Sequence, residues 1–249
     1  MYNKLANATL KIVCGNSSGS GFHFCDKQII VTNFHVIKEA LYDNSIILRA
    51  YTENHEEYKL KLLYYSDEMN YDFAILHSID SVSEERCVLR PKLQDRVPRG
   101  TDIIFSGYPH GIDHLLVHNA IVSGYPNEKA FYIDGSVNGG NSGGPIIDIS
   151  DFSVIGIVTQ RRFLGSSELN SISAESNKLI EHCKSIAGRG SVSIMGIDFN
   201  SLTNMIGRSF AVSNAIIEAN ANSGIGIGFN IKYVAEKYKD IYRILGSSA

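Results

Sequence analysis

From Ala8 to Gln160 the chain is a succession of short apolar runs rich in Val, Ile, Tyr and Phe, each bracketed by Gly, Asn, Asp or Ser. The first group reads "ATLKIVC", "SGFHFC", "QIIVT", "SIILRAY", "YKLKLLYY" and "DFAILHS". After a gap come "TDIIFSGY", "HLLVHNAIVSGY", "KAFYIDG", "GPIIDIS" and "SVIGIVTQ". β-Branched and aromatic residues fit a pleated surface better than a helix, and the runs are too short for ordinary helices. Short strands at this spacing pack as a barrel or a sandwich. The gap, roughly 81–100, holds Pro91, Pro98 and a basic cluster from Arg86 to Arg99. It reads as a solvated linker between two strand groups.

Past Phe163 the texture changes. "ISAESNKLIEHCKSIAG" puts Leu179, Ile180, Cys183 and Ala187 on one helical face, with Ser173 as N-cap and Gly188 as stop. "DFNSLTNMIGRSFAVSNAIIEANANSG" is a second helical stretch, with Leu202, Met205, Ile206, Ala215 and Ile216 in phase. A strand then returns in "GIGIGFNIK", followed by a terminal helix over about 232–245. If that strand completes the second group, each group has six, and 163–223 becomes a helical insertion.

A chain of 249 residues buries a sizeable core. A formal net charge of −3 gives no reason to expect nucleic acid or an anionic membrane as the main partner. The N-terminus lacks the apolar core and small-residue cleavage site of a signal peptide, and no window has the apolar length of a bilayer span. A cytoplasmic location is therefore expected. Cys14, Cys25, Cys87 and Cys183 form no Cys-x-x-Cys pair and stand apart from histidines at zinc-ligand spacing, so neither metal nor cofactor is expected. Four free thiols are the default in a reducing compartment, although a hairpin could bring Cys14 near Cys25.

The chemistry gathers around "VNGGNSGGPIID", Val137 to Asp148, where four glycines and two asparagines surround Ser142. Glycine costs backbone entropy, so such a cluster needs a geometric reason. A tight turn that presents Ser142 and aims the amides of Gly140 and Ser142 at one spot would supply it. Upstream, "VTNFHVI" places His35 just after a strand, and "YDFAIL" places Asp72 just before one. Acyl transfer needs this set: a serine made nucleophilic by a histidine, and a carboxylate that fixes the imidazole. The two amides would form an oxyanion hole.

The runs "GSGFHF", "IVTNFHVI", "YDFAIL", "GYPHG", "NAIVSG", "GSVNGGNSGGPI" and "VIGIVT" resemble the motif series of trypsin-like serine proteases, closest to the high-temperature-requirement (HtrA) branch. The order His, Asp, Ser is that of the chymotrypsin-like fold. The resemblance covers about Thr9 to Arg161 and resumes over Gly224 to Tyr238. It implies an all-β fold with added helices: two perpendicular six-stranded antiparallel β-barrels, one over 1–80 and one over 101–249, with the active site between them. It also implies that His35 is the general base, Asp72 its orienting acid, Ser142 the nucleophile, and Gly140 with Ser142 the oxyanion hole. Asn141 stands where many trypsins have the aspartate that pairs with a newly cut N-terminus, so activation by such cleavage is not expected. Val36 replaces a cysteine common in secreted members. After the terminal helix, the PDZ domain that many HtrA proteins carry is not expected.

By position, Ser136 is expected near the floor of the primary pocket, and Thr159, Gln160 and Arg161 along a substrate strand where a peptide adds as a further strand. Without an aspartate at the floor, cleavage after Lys or Arg is not expected; small apolar residues are the default, and Arg161 raises an acidic alternative. The insertion, next to the pocket strands, is expected to dock a regulatory protein partner. The expected function is a serine endopeptidase acting on protein or peptide substrates in regulated intracellular proteolysis. The alternatives are a protease-like binding or scaffold module acting through its insertion, and an esterase.

Overall fold

The computed structural model describes residues 1–94, 96–161, 167–186, 193, 194, 196–220 and 224–246. Two compact units emerge: Met1–Arg162 together with Gly224–Ala249, and Phe163–Ser223. The first opens with helix α1 (Tyr2–Ala8) and strands β1 (Thr9–Cys14), β2 (Ser17–Phe24) and β3 (Asp26–Thr32). Short helices α2 (Phe34–Ile37) and α3 (Glu39–Tyr42) lead to β4 (Arg49–Tyr51), β5 (Glu57–Ser66) and β6 (Phe73–Ser78). These six strands close into an antiparallel barrel in the order β1-β2-β3-β6-β5-β4. A second series follows: β7 (Asp102–Gly107), β8 (Leu116–Gly124), β9 (Ala130–Asp134), β10 (Pro145–Asp148) and β11 (Ser153–Arg161).

The chain then builds the second unit, with α4 (Ser167–Ile186), a two-stranded ribbon of β12 (Ser193–Ile194) and β13 (Ile197–Asp198), and α5 (Phe199–Asn220). Helix α4 starts before Ser173, so that residue lies inside the helix, not at its cap. Ala187 and Gly188 lie outside the described residues. Returning to the first unit, β14 (Ile225–Asn230) inserts between β11 and β9 and closes the second barrel as β10-β11-β14-β9-β8-β7. Helix α6 (Lys232–Gly246) is the last element among the described residues. No helix among the described residues is long and apolar enough to cross a membrane.

Two-residue alternation explains the barrel interiors. Along β1, Leu10, Ile12 and Cys14 turn inward and join Leu48, Ala50 and Leu76. In the second barrel, Ile103, Phe105, Val122, Ile133 and Val158 do the same. A third apolar cluster joins the barrels: Phe22, Phe24 and Ile75 from the first meet Ile104, Ile147 and Ile157 from the second, with Leu5 of α1 and Val234 of α6. Each such fully buried side chain contributes about 1.5–3 kcal/mol. Only seven residues long, α1 shows too few turns for a periodic signal; it is held by burial of Leu5 and Ala8 and by the Thr9 hydroxyl on the Leu5 carbonyl.

The basic stretch after Ser81 leaves Arg90, Arg96 and Arg99 exposed, as expected of a linker, but is strapped down at Arg86, Leu89 and Lys92. Arg86 is buried, its guanidinium donating to the Glu56 carboxylate at 2.6 Å and the Asn7 carbonyl at 3.2 Å. Leu89 exchanges backbone hydrogen bonds with His23 and Cys25. Three residues later, the Lys92 amide reaches the Val154 carbonyl, and the Lys92 ammonium lies between Asp148 and Asp151. The partners are remote in sequence, so composition alone could not show them. Among the described residues all four cysteines are free thiols.

His23 on β2 makes the fold acid-sensitive. It is fully buried, Nδ1 donates to the Lys27 carbonyl at 2.7 Å, and Nε2 has no partner among the described residues. Burial pushes its pKa down to about 4. The unfolded chain therefore takes up this proton first, and folding stability rises with pH. The contribution, about 3 kcal/mol, is complete above the ordinary histidine value near 6.5 and is lost as pH falls from there through 4. Urea midpoints at pH 7.5 and 5 should differ clearly less for His23→Gln than for the parent protein. Equal differences would assign the acid sensitivity to other groups.

Candidate active site

Asp72 ends a loop built by side-chain turn chemistry. The Asp67 carboxylate accepts the Met69 and Asn70 amides, and the Asp67 carbonyl accepts the Asp72 amide at 2.9 Å. Asp72 itself has φ +44, a left-handed conformation that aspartate tolerates better than most residues. Its carbonyl accepts Asn33 Nδ2 at 2.6 Å, which fixes the loop against the start of α2.

His35 sits in the first turn of α2, where backbone amides have no partner inside the helix. Its amide donates to Asp72 Oδ1 at 3.0 Å, and its Nδ1 donates to Oδ2 at 2.7 Å. The Thr159 hydroxyl also donates to Oδ2, at 2.7 Å. Three donors thus satisfy a carboxylate that is only 2 % exposed, as a buried charge requires. With the proton on Nδ1, the Nε2 lone pair of the half-buried ring is left without a partner among the described residues.

The glycine loop is shaped by close approach. Gly140 and Gly143 have φ +92 and +89. A β-carbon on Gly140 would stand 2.2 Å from the Tyr108 carbonyl oxygen, and one on Gly143 would stand 2.0 Å from that of Ser20. Ser20 on β2 supports this loop: its hydroxyl donates to the Gly140 carbonyl at 2.7 Å and accepts the Tyr108 amide at 2.9 Å. Its own amide donates to the Ser142 carbonyl at 2.8 Å. The His110 amide holds the Gly139 carbonyl at 2.7 Å. Because carbonyl and N–H of a trans peptide point opposite ways, the Gly140 N–H is turned away from His110. Neither it nor the Ser142 amide meets an acceptor among the described residues.

The Ser142 hydroxyl donates to the Thr159 carbonyl at 2.9 Å and makes no hydrogen bond to His35. Thr159 therefore touches both halves of the site, its hydroxyl on Asp72 and its carbonyl on Ser142. A bulge in β11 explains this. Val158 pairs with Gly228 and Gln160 with Ile227, leaving Thr159 as the extra residue. Such a residue is re-aimed relative to simple alternation. Its side chain is 2 % exposed and faces Asp72 rather than the surface along which a substrate-lining side chain would lie. Ser136 is exposed. The backbones of Gln160 and Arg161 pair with Ile227 and Gly226, while their side chains lie outside the described residues. On the opposite edge, pairing of β11 with β10 begins only at Ile157, so 159–161 carries an open strand edge among the described residues.

Ser20, Thr32 (whose hydroxyl donates to the Ser20 carbonyl at 2.6 Å) and His110 also shape the site. Thr32 and His110 come from elsewhere in the chain and carried no signal; for Ser20 it was the small-residue run "SSGSG", Ser17 to Gly21, in β2. Gly19 there would place a β-carbon 2.9 Å from the Ser142 carbonyl.

This geometry can be set beside known proteins. The chain is 30% identical over 152 residues to "Protease Do-like 1, chloroplastic" of Arabidopsis thaliana, covering 57% of this chain and 33% of that one. It is 32% identical over 150 residues to "Probable periplasmic serine endoprotease DegP-like" of Pseudomonas fluorescens, covering 58% and 29%. The chain thus spans about a third of the length of these curated relatives. The crystal structure of the serine endoprotease from Yersinia pestis superposes with a TM-score of 0.54 at 22% identity over 72% of this chain and 65% of that one, a likeness of fold. The profile of the trypsin-like peptidase domain matches residues 19–157, more than half of the sequence. The chain belongs to the trypsin-like peptidase domain family.

Proposed function

We propose that this protein is a serine endopeptidase in which Ser142 attacks the peptide carbonyl, His35 carries the proton and Asp72 orients His35. One observation carries the reading: both oxygens of the buried Asp72 carboxylate are bound by His35, which leaves Nε2 as the basic nitrogen. Nε2 takes the Ser142 proton as the hydroxyl oxygen bonds to the substrate carbon, then delivers it to the departing amine. The Gly140 and Ser142 amides receive the oxyanion, each contributing about 3–4 kcal/mol. Water then hydrolyses the acyl-enzyme with His35 again as base.

In the resting arrangement the Ser142 hydroxyl is on the Thr159 carbonyl. An extended substrate strand laid along the open edge of 159–161 competes for that carbonyl with its own N–H, and a rotation about χ1 turns the hydroxyl to His35. Substrates are accordingly polypeptides in extended form. Ser136, exposed ahead of the glycine loop, is proposed to border the primary pocket, and without an acidic side chain there small apolar residues are favoured next to the cut bond over Lys or Arg. Exposure to a fluorophosphonate followed by intact-mass analysis should give one adduct, absent from Ser142→Ala. A well-folded protein that forms none, even with peptide substrate present, would favour a protease-like binding module.

The four free thiols suit a reducing compartment and regulated intracellular proteolysis. The second unit is proposed as the docking element for a regulatory protein, because α5 exposes Phe199, Met205, Ile206 and Val212. Deleting 163–223 should change peptide hydrolysis by the folded barrels. Unchanged kcat/KM would remove this role.

A further inference from the structure

The loop that presents Asp72 is held from the second barrel as well as from the first. Residues 67–70 are exposed, and Asp72 keeps a left-handed backbone at φ +44. A left-handed residue other than glycine persists only where its surroundings hold it. Two of the holds are polar and lie within the first barrel: the Asp67 carbonyl accepts the Asp72 amide, and Asn33 Nδ2 donates to the Asp72 carbonyl. The third is aromatic. The ring of Tyr71 stacks on that of Tyr233, in the first turn of α6, with centroids 4.0 Å apart and planes 29° from parallel. The Lys129 ammonium, just ahead of β9, stands 4.6 Å from the centre of the Tyr71 ring. Ring pairs and a cation over a ring face both add to what burial alone supplies.

The surface that receives Tyr71 is itself fixed. The Asn230 side chain accepts the Lys232 amide at 2.9 Å and so caps the start of α6. The Asn230 amide donates to the Lys129 carbonyl, also at 2.9 Å, which ties that helix start to the start of β9. Next to Tyr233, Val234 and Ala235 are buried in the apolar cluster between the barrels. Tyr233 and Lys129 therefore belong to one anchored platform of the second barrel.

Asp72 is also where the barrels meet chemically, since it takes donors from His35 of the first and from Thr159 of the second. Such a carboxylate keeps its geometry only while both barrels stay in register around it. We propose that Tyr71 is a positioning residue: its stack on Tyr233 sets Asp72 against the second barrel and thereby fixes the angle at which Asp72 holds His35. The inference rests on the reading of Asp72 as the group that orients His35. Both contacts are made by the Tyr71 ring, so the role needs the aromatic face and not the hydroxyl.

The test is a set of double-mutant cycles on the full-length protein, reading peptide hydrolysis and the ¹H signal of the His35 Nδ1 proton for each variant. Tyr71→Ala should lower kcat about tenfold with KM little changed, as a small misplacement of a reacting group does, and should shift or broaden the Nδ1 proton signal. Tyr71→Phe keeps the stack and should recover both. Tyr233→Ala should match Tyr71→Ala, and the two together should lose no more than either alone. In an Asp72→Asn background Tyr71→Ala should cost nothing further, because its action runs through the carboxylate. A tenfold loss that persists in that background, Tyr71→Phe as slow as Tyr71→Ala, or Tyr71→Ala with the parent's kcat and Nδ1 signal would each overturn the proposal. Near-parent kcat in Asp72→Asn itself would instead overturn the reading of Asp72. The Nδ1 signal, which needs no turnover, tests Tyr71 in that case too.

Discussion

Ser142→Ala should lower peptide hydrolysis by about a millionfold in kcat, the loss seen when a triad nucleophile is removed. Alanine leaves His35, Asp72 and both loop amides in place, so the loss isolates the bond-forming step. The amides can still polarise a bound carbonyl, and a residual rate of about a thousandfold over water is expected from them and from binding. Structure should hardly change. The hydroxyl makes one hydrogen bond, to the Thr159 carbonyl, and losing a neutral bond of that kind costs about 1 kcal/mol. The measurement is single-turnover cleavage of a peptide library pool, with circular dichroism melting as a control for folding. A variant that retains a tenth of the parent rate would show that Ser142 is not the nucleophile.

Asp72→Asn should cost about 10⁴-fold in kcat with KM little changed. The asparagine amide can donate to His35 Nδ1, which moves the imidazole proton to Nε2, where a lone pair is needed. Here the effect is compounded. The aspartate accepts three donors, from the His35 amide, His35 Nδ1 and the Thr159 hydroxyl. Asparagine has one acceptor oxygen, so at least one of these donors faces an NH₂ group instead. The histidine tautomer can be read directly by ¹⁵N chemical shifts of the ring, a signature that a merely structural loss would not move. A fall of less than tenfold, with the Nδ1 proton retained, would mean that Asp72 has no orienting role.

Much of this architecture was written in local patterns. Eleven runs between Ala8 and Gln160 were read as strands, and β1 to β11 are what the chain forms there. A run of β-branched and aromatic residues between turn residues marks each one without reference to its neighbours. His35 and Asp72 were singled out for a similar reason, since the residues that flank them carry the motif, and the fold brings the two side chains into hydrogen-bond contact. What escaped the reading depends on pairs far apart in sequence. Arg86 looked solvated because Glu56 and Asn7, which bury it, lie thirty and seventy-nine positions away. Thr159 was placed along the substrate strand by its position relative to Ser142; that its side chain turns onto Asp72 depends on a bulge fixed only by the register of β11 against β14.

The hairpin of β11 and β14 has a consequence beyond catalysis. Arg161 and Gly226 face each other as ladder partners, so the chain leaves and re-enters the second barrel through two hydrogen-bonded strand ends. Those ends would suit a tight turn equally well. Closing a longer loop across such fixed ends costs only about 0.6 kcal/mol for each doubling of its length. Threading roughly sixty residues in place of a tight turn thus costs the barrel only about 2–3 kcal/mol. The ladder that closes the barrel therefore holds with a compact unit as long as 163–223 set between its strand ends.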